Sequence, residues 1–261
     1  MPVSLDKFQQ VEIISRTDYS PDLWSVRVRL EEKLVFKPGQ YATLAVECGS
    51  TLIQRAYSIV SSPLEEDLEF FFELVPQGEL TPRLFELRAG RRMWMRRQAR
   101  GLFTLDGKSG HANHFFLCTV TGVAPFVSMI RSLAIEGRSA AARGLKIALI
   151  QAASRSWEFA YREELDDFAK TIEGFYYIPS VSRPWEDPEW KCEVGRAEDV
   201  ARKYLDSFCF EPASTTAYLC GHPQMIENCK GILKRRGFEK QSVREEIYWI
   251  PAKQPAPPVA S

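Results

Sequence analysis

Absences narrow the chemistry of this chain first. Its six cysteines (Cys48, Cys118, Cys192, Cys209, Cys220 and Cys229) never fall at CxxC spacing and never cluster. That argues against a zinc ribbon or an iron–sulfur ligand set on this chain. The pattern is also unlike a disulfide framework, so a reducing cytoplasm is the expected compartment. Neither sign of charge is in excess, since 34 Lys and Arg balance 34 Asp and Glu. No global field therefore draws the chain to nucleic acid or to a membrane surface. No apolar run nears the roughly 20 residues that span a bilayer, and residues 1–10 show no apolar signal segment. The GxGxxG dinucleotide fingerprint and internal repeats are missing. What remains is 45% hydrophobic and 26% charged over 261 residues. That is an ordinary globular composition, long enough for two modest domains.

The chain changes grammar near Lys108–Gly110. Before it lie short β-type runs at Val11–Ile14, Leu23–Leu30, Tyr41–Val46, Leu52–Val60, Leu68–Val75 and Arg91–Arg97. Turn signals such as Lys37-Pro38-Gly39 and Pro76-Gln77-Gly78 separate them, which predicts an antiparallel barrel or sandwich. A short helix is expected over Leu80–Leu87, with Thr81 as N-cap and Pro82 at the first helical position. After residue 113 apolar strands alternate with amphipathic helices. Strands are expected at His114–Cys118, Leu145–Gln151, Phe175–Ser180 and Thr216–Cys220. Helices are expected at Pro125–Ile135, Glu158–Lys170, Ala197–Phe208 and Pro223–Arg236. This alternation predicts a parallel sheet with crossover helices, which binds its ligand beyond the carboxyl ends of the strands. The expected units are a barrel domain at 1–107, an α/β domain at 108–250 and a disordered tail at 251–261, where prolines and small residues dominate.

The most informative segment is Arg55-Ala56-Tyr57-Ser58. On a strand Arg55 and Tyr57 share a face. Arg offers a forked donor set to a pyrophosphate, Tyr a face to a flat ring, and Ser a hydroxyl to its polar edge. At the end of the first parallel strand, Thr121-Gly122 runs into a helix and exposes backbone N–H groups that suit a nucleotide. Later strands end at Ser154-Arg155 and Ser182-Arg183, and Gly195-Arg196 follows. An NAD-preferring site usually places an acidic side chain at the first of these positions. Here three arginines are either surface side chains or a set that converges on one phosphate. The last parallel strand runs through Cys220-Gly221 to Met225. Gly221 permits close approach of a ligand. Cys220 is either a neighbour of a nicotinamide or a buried core thiol, and His222 is expected to start a helix. Arg88, Arg91, Arg92, Arg96, Arg97 and Arg100 surround Trp94. This stretch is a docking face for an acidic protein, a nucleic-acid face that the neutral net charge disfavours, or a strand with solvated arginines and a core Trp94.

Taken in order, these segments resemble the ferredoxin–NADP(+) reductase family, most closely its bacterial ferredoxin/flavodoxin reductase branch. The resemblance runs from about Phe8 to Trp249. It rests on Arg55-Ala56-Tyr57-Ser58, on Val75 to Leu84, on Thr121 to Pro125, on Cys220 to Met225 and on Tyr248-Trp249. It implies an antiparallel FAD-binding β-barrel followed by a parallel-sheet NADP-binding α/β domain. It implies FAD held by Arg55 and Ser58, with Tyr57 stacked on the flavin and Ala56 between them. The turn of Gly78, Leu80 and Thr81 would approach the flavin phosphates, and Thr121 and Gly122 would lie between flavin and nicotinamide. Arg155, Arg183 and Arg196 would grip the 2′-phosphate of NADP(H), beside Gly221 and Met225. Tyr248 or Trp249 would pack by the flavin, with Ser58 and Cys220 flanking the hydride transfer. The implied partner is ferredoxin or flavodoxin, without nucleic acid or membrane span. Val120 stands where the family usually has glycine. A β-branched residue takes φ > 0 only at a cost, so a differently shaped turn is expected there. The chain also continues past Trp249 to Ser261. Two alternatives remain: a free-flavin reductase or oxygenase reductase component, and a non-enzymatic interaction module using the arginine-rich strand.

Overall fold

The computed structural model describes residues 5–105, 107–137 and 140–248. Trp249 and the expected tail at 251–261 lie outside the described residues. In the first half, β1 (Phe8–Asp18), β2 (Leu23–Leu30), β3 (Tyr41–Cys48), β4 (Thr51–Ser58), β5 (Leu68–Glu73) and β6 (Arg92–Arg96) form one antiparallel sheet. The order is β4-β3-β6-β1-β2-β5. The edges meet through a bridge between Ile59 and Phe70 and a bond from Val60 N–H to Glu69 C=O at 2.9 Å, so the sheet curls into a barrel. Alternate residues point inward, among them Val11, Ile13, Trp24, Val26, Val28, Leu44, Phe70 and Phe72, as a half-buried pleat requires. On β6 Met93 and Met95 fill the core. Trp94, inside the core in one of the three readings of this stretch, is half-buried on the outer face and donates from Nε1 to Glu47 at 2.8 Å.

The helix after β5 is shorter than expected. α1 runs Thr81–Glu86, and Leu80 takes the cap position without a side-chain bond. The Thr81 hydroxyl is not the N-cap. It bonds both the N–H and the C=O of Val75, closing the preceding turn.

The second half is β7 (Asn113–Thr119), α2 (Ala124–Ile135), β8 (Lys146–Ala153), α3 (Arg162–Thr171), β9 (Phe175–Val181), β10 (Glu193–Val194), α4 (Ala197–Ser207), β11 (Thr215–Gly221), α5 (Pro223–Arg235) and β12 (Val243–Ile247). All pairings are parallel, in the order β10-β9-β8-β7-β11-β12. Alternation again sorts the side chains. Phe116, Leu149 and Tyr218 face α2 and α3, while Phe115, Ile150 and Leu219 face α4 and α5. The helix expected from Glu158 begins only at Arg162. Glu158 instead accepts from the N–H of Ser154 and Arg155, and Tyr161 turns the chain at φ 63. β10 and β12 were not expected, because their polar residues hide the strand pattern. The chain winds outward from β7 to β10 and returns to β11 on the other side of β7, so the carboxyl ends of β7 and β11 flank the switch point where such sheets bind ligands.

The barrel and the parallel sheet share a core. Leu23, Val60, Phe71 and Phe103 of the barrel side pack with Phe126, Met129 and Ile130 of α2. Polar pins cross the same junction. Ser128 donates to Ser61 C=O at 2.7 Å, and the Ser62 and Ser132 hydroxyls lie 2.8 Å apart.

Candidate functional site

β4 delivers the first group of side chains. Arg55 is exposed and paired with Glu79 at 3.0 Å, which holds the guanidinium beside the turn that follows β5. In that turn Gly78 N–H bonds Val75 C=O, and a Cβ on Gly78 would lie 3.0 Å from that same oxygen. Leu80 is buried in the barrel core, so only its backbone can face a ligand. Tyr57 is half-buried, with its ring edge-on to Phe72 at 4.8 Å. Burial pushes its hydroxyl pKa up, against a smaller pull from the nearby Arg55 charge. Ala56 is exposed, on the face that also carries Ser58.

Ser58 is buried and donates to Glu246 Oε1 at 2.6 Å, a contact between β4 and β12. The Tyr248 hydroxyl donates to Ser58 Oγ at 3.1 Å and reaches Thr121 C=O at 3.3 Å. It is also within bonding reach of the Cys220 thiol. Burial raises the pKa of Glu246, and the Ser58 bond offsets part of that rise. The Cys220 thiol is fully buried, and burial holds its pKa well above the ordinary thiol range. Glu246 escaped the sequence analysis because Ser58, its partner, lies far away in sequence. The available signal was its place two residues before Tyr248, which puts both on one strand face.

The second group lines a cleft of about 580 Å³ at the carboxyl ends of β7, β8, β9 and β11. Thr121, Arg183, Arg196, Gly221, Met225 and Tyr248 all border it. Two glycines make it possible. A Cβ on Gly122 would collide with the Cys220 backbone, and one on Gly221, at φ 121, with the Thr119 hydroxyl. That hydroxyl accepts from His222 N–H at 2.9 Å. His222 caps α5, accepting from Gln224 N–H at Nδ1. In the turn after β7, Val120 takes the left-handed conformation at φ 41, and its side chain packs against the cluster of Ala153, Phe159 and Val181. That contact offsets a conformational cost of order 1–2 kcal/mol.

The three arginines do not stand free around one empty point. Arg155 and Arg183 both reach Glu186, at 2.5 and 3.5 Å, and Arg155 also pairs with Glu158 at 3.3 Å. Arg196 sits at the start of α4, its N–H bonded to Asp199. The arginine-rich strand is partnered in the same way. Arg92 faces Glu12 at 3.9 Å, Arg96 bonds Gln54, and Arg97 bonds Glu32 and Phe8 C=O. Arg88 bonds Phe85 C=O, while Arg91 and Arg100 are exposed.

The donor sets suit two ligands side by side. A forked cation beside a tight turn fits a pyrophosphate, and a half-buried tyrosine next to a serine bonded to a carboxylate fits the face and edge of a flat, polar ring system. A helix-start cleft with basic rims fits a second nucleotide. Among the described residues no group of His, Cys, Asp and Glu could hold a metal ion, and no helix is long and apolar enough to cross a membrane.

Comparison with known proteins agrees with this division. Residues 10–101 match the oxidoreductase FAD-binding domain family, and residues 116–231 the oxidoreductase NAD-binding domain family. A ferredoxin–NADP reductase of Pseudomonas aeruginosa is 28% identical over 240 residues, covering 87% of this chain and 89% of that protein. A flavodoxin/ferredoxin–NADP reductase of Shigella flexneri is 30% identical over 204 residues, covering 75% of this chain and 77% of that protein. A solved ferredoxin NADP+ reductase from Neisseria gonorrhoeae with bound FAD and NADP superimposes with a TM-score of 0.81 at 22% identity, covering 93% of this chain and 99% of that chain.

Proposed function

The chain belongs to the ferredoxin–NADP reductase family, and from that premise we propose that it is an FAD-dependent oxidoreductase that moves electrons between NADP(H) and a one-electron carrier, ferredoxin or flavodoxin. The observation that carries this reading is the junction of Ser58, Glu246 and Tyr248. It joins the Arg55–Tyr57 strand to the nucleotide cleft. We take residues 1–107 as the FAD unit and 108–250 as the NADP(H) unit. The free state of all six cysteines supports a reducing cytoplasm.

FAD, when bound, supplies the exchange between a two-electron hydride and single electrons. The protein supplies position and proton handling. Arg55 would hold the pyrophosphate with the Gly78–Thr81 turn, and Tyr57 would offer its ring face. Ser58 Oγ would meet the polar edge of the ring, with Glu246 able to give or take a proton through that hydroxyl. Thr121, Gly122, Gly221 and Met225 would shape the nicotinamide end of the cleft, and Arg155, Arg183 and Arg196 its 2′-phosphate end. Ser58 and Cys220 act as positioning groups. The thiol lies behind Tyr248, so a nicotinamide reaches it only where that ring gives way. We place the carrier on the face of Arg88, Arg91, Arg92, Arg96, Arg97 and Arg100. Among the described residues the ion pairs of this face involve Arg92 and Arg97, which leaves the charges of Arg88, Arg91, Arg96 and Arg100 the least neutralised.

An anaerobic titration of the FAD-loaded protein tests the reading. Bleaching of the flavin band at low NADPH, with NADH effective only at higher concentration, is the expected result. A protein that takes up no FAD, or whose flavin neither nucleotide reduces, would remove the assignment.

A further inference from the structure

Arg183, which borders the cleft, and Arg155, next to the bordering Ser154, share a counter-ion. Glu186 lies in the turn after β9, between Arg183 on one side and Arg155 on the other. Arg155 Nε donates to its Oε2 at 2.5 Å, and Arg183 Nη1 lies 3.5 Å from its Oε1. Among the described residues, both hydrogen-bond partners of this carboxylate are arginines. Glu158, the other carboxylate on Arg155, differs in kind. It also accepts from the N–H of Ser154 and Arg155 and so holds the loop together. Glu186 does no such backbone service. Its partners are half-exposed, with side chains at 31% for Arg155 and 45% for Arg183, so an incoming anion can reach the same guanidinium groups. The Arg155 hydrogen bond holds the Glu186 carboxyl below its usual range, so it stays charged at neutral pH.

Resting on the NADP(H) reading above, we propose that Glu186 is a specificity-determining residue, a built-in competitor that the 2′-phosphate must displace from Arg155 and Arg183. Two consequences follow from charge alone. A ligand without the 2′-phosphate leaves the Glu186 pairs intact and gains nothing from these arginines. A ligand with it must break an existing pair before making its own, and then sits beside a repelling carboxylate. The margin between NADP(H) and NAD(H) is therefore narrower than two free arginines would give.

The test is calorimetric binding of adenosine 2′,5′-bisphosphate and of 5′-AMP to the full-length, FAD-loaded protein and to its Glu186→Gln and Glu186→Ala variants. An exposed pair of this kind accounts for a few-fold in affinity. Each variant should therefore bind the bisphosphate about 3- to 10-fold more tightly, with 5′-AMP unchanged. Unchanged or weaker bisphosphate binding, in a protein that still prefers bisphosphate over 5′-AMP, overturns the role of Glu186 and leaves the NADP(H) reading intact. Equal tightening of both ligands also overturns it, because a general change in the loop would do that. Bisphosphate bound no better than 5′-AMP by wild type and variants alike would remove the 2′-phosphate site itself.

Discussion

Replacing Arg131 with methionine should weaken the join between the barrel and the parallel sheet. Arg131 leaves α2 and meets Glu69 of β5 at 2.7 Å and Glu164 of α3 at 2.6 Å. A second nitrogen reaches Glu164 at 2.8 Å, making that pair bidentate. Its cation lies 5.5 Å from the Tyr161 ring centroid, and Tyr161 donates to the other oxygen of Glu69 at 2.8 Å. The side chains of Arg131 and Glu69 are 12% and 6% exposed, so this is a largely buried network. Removing one partner of a buried pair costs about 3–5 kcal/mol, because the other charge stays behind. Arg27 remains 3.6 Å from Glu69 and Tyr161 keeps its bond, which argues for the lower end, about 3 kcal/mol. For a chain of this size that corresponds to a fall in Tm of about 6–12 °C. Methionine preserves the bulk and the contact with Tyr161. The assay is thermal unfolding followed by circular dichroism, with the Arg131→Met/Glu69→Gln double variant alongside. The double variant should lose less than the single one, since it removes the stranded charge. A loss of about 0.5 kcal/mol or less, as for an exposed pair, would refute the claim that this network fastens the two halves.

Other consequences are as direct. Gly122→Ala puts a methyl into the Cys220 backbone; it should cost about 1–3 kcal/mol and weaken NADP+ binding, both readable in one melt with and without nucleotide. Arg55→Ala removes a charge-assisted contact of about 1.5–3 kcal/mol, so FAD should dissociate roughly 10- to 100-fold more readily, measured by released flavin fluorescence. Glu246 has its pKa raised by burial, so the folded state binds that proton more tightly than the unfolded one. The resulting stability is present below the ordinary carboxyl range and is lost as pH rises through the raised value. Glu246→Gln should remove that dependence, and a Tm–pH profile identical to wild type would count against it.

Periodicity made much of this molecule legible. The pleat of the barrel strands and the strand–helix alternation after residue 113 both follow from local spacing. So does the shared face of Arg55 and Tyr57. What stayed hidden depends on contacts between distant residues. β12 reads Val-Arg-Glu-Glu-Ile and looks polar, yet pairs in register with β11 from Val243 to Ile247. Glu246 acquires its meaning only when that pairing brings it to Ser58. Arg155, Arg183 and Arg196 were legible as charges, but Glu186 was not, since nothing in its local sequence marks it as the counter-ion of Arg155. Thr81 had the residue type of a cap and spent its hydroxyl on Val75. Val120 shows the same priority of packing over local preference, holding a left-handed φ because its side chain is packed.

The central claim is transfer of electrons from NADPH to a one-electron carrier, and the rate of NADPH-driven cytochrome c reduction through added ferredoxin or flavodoxin tests it most directly. A rate that saturates with carrier concentration is predicted, and docking on the proposed arginine face predicts that it falls as salt rises. A rate indifferent to the carrier, with free flavin reduced rapidly instead, would contradict the claim and identify a flavin reductase.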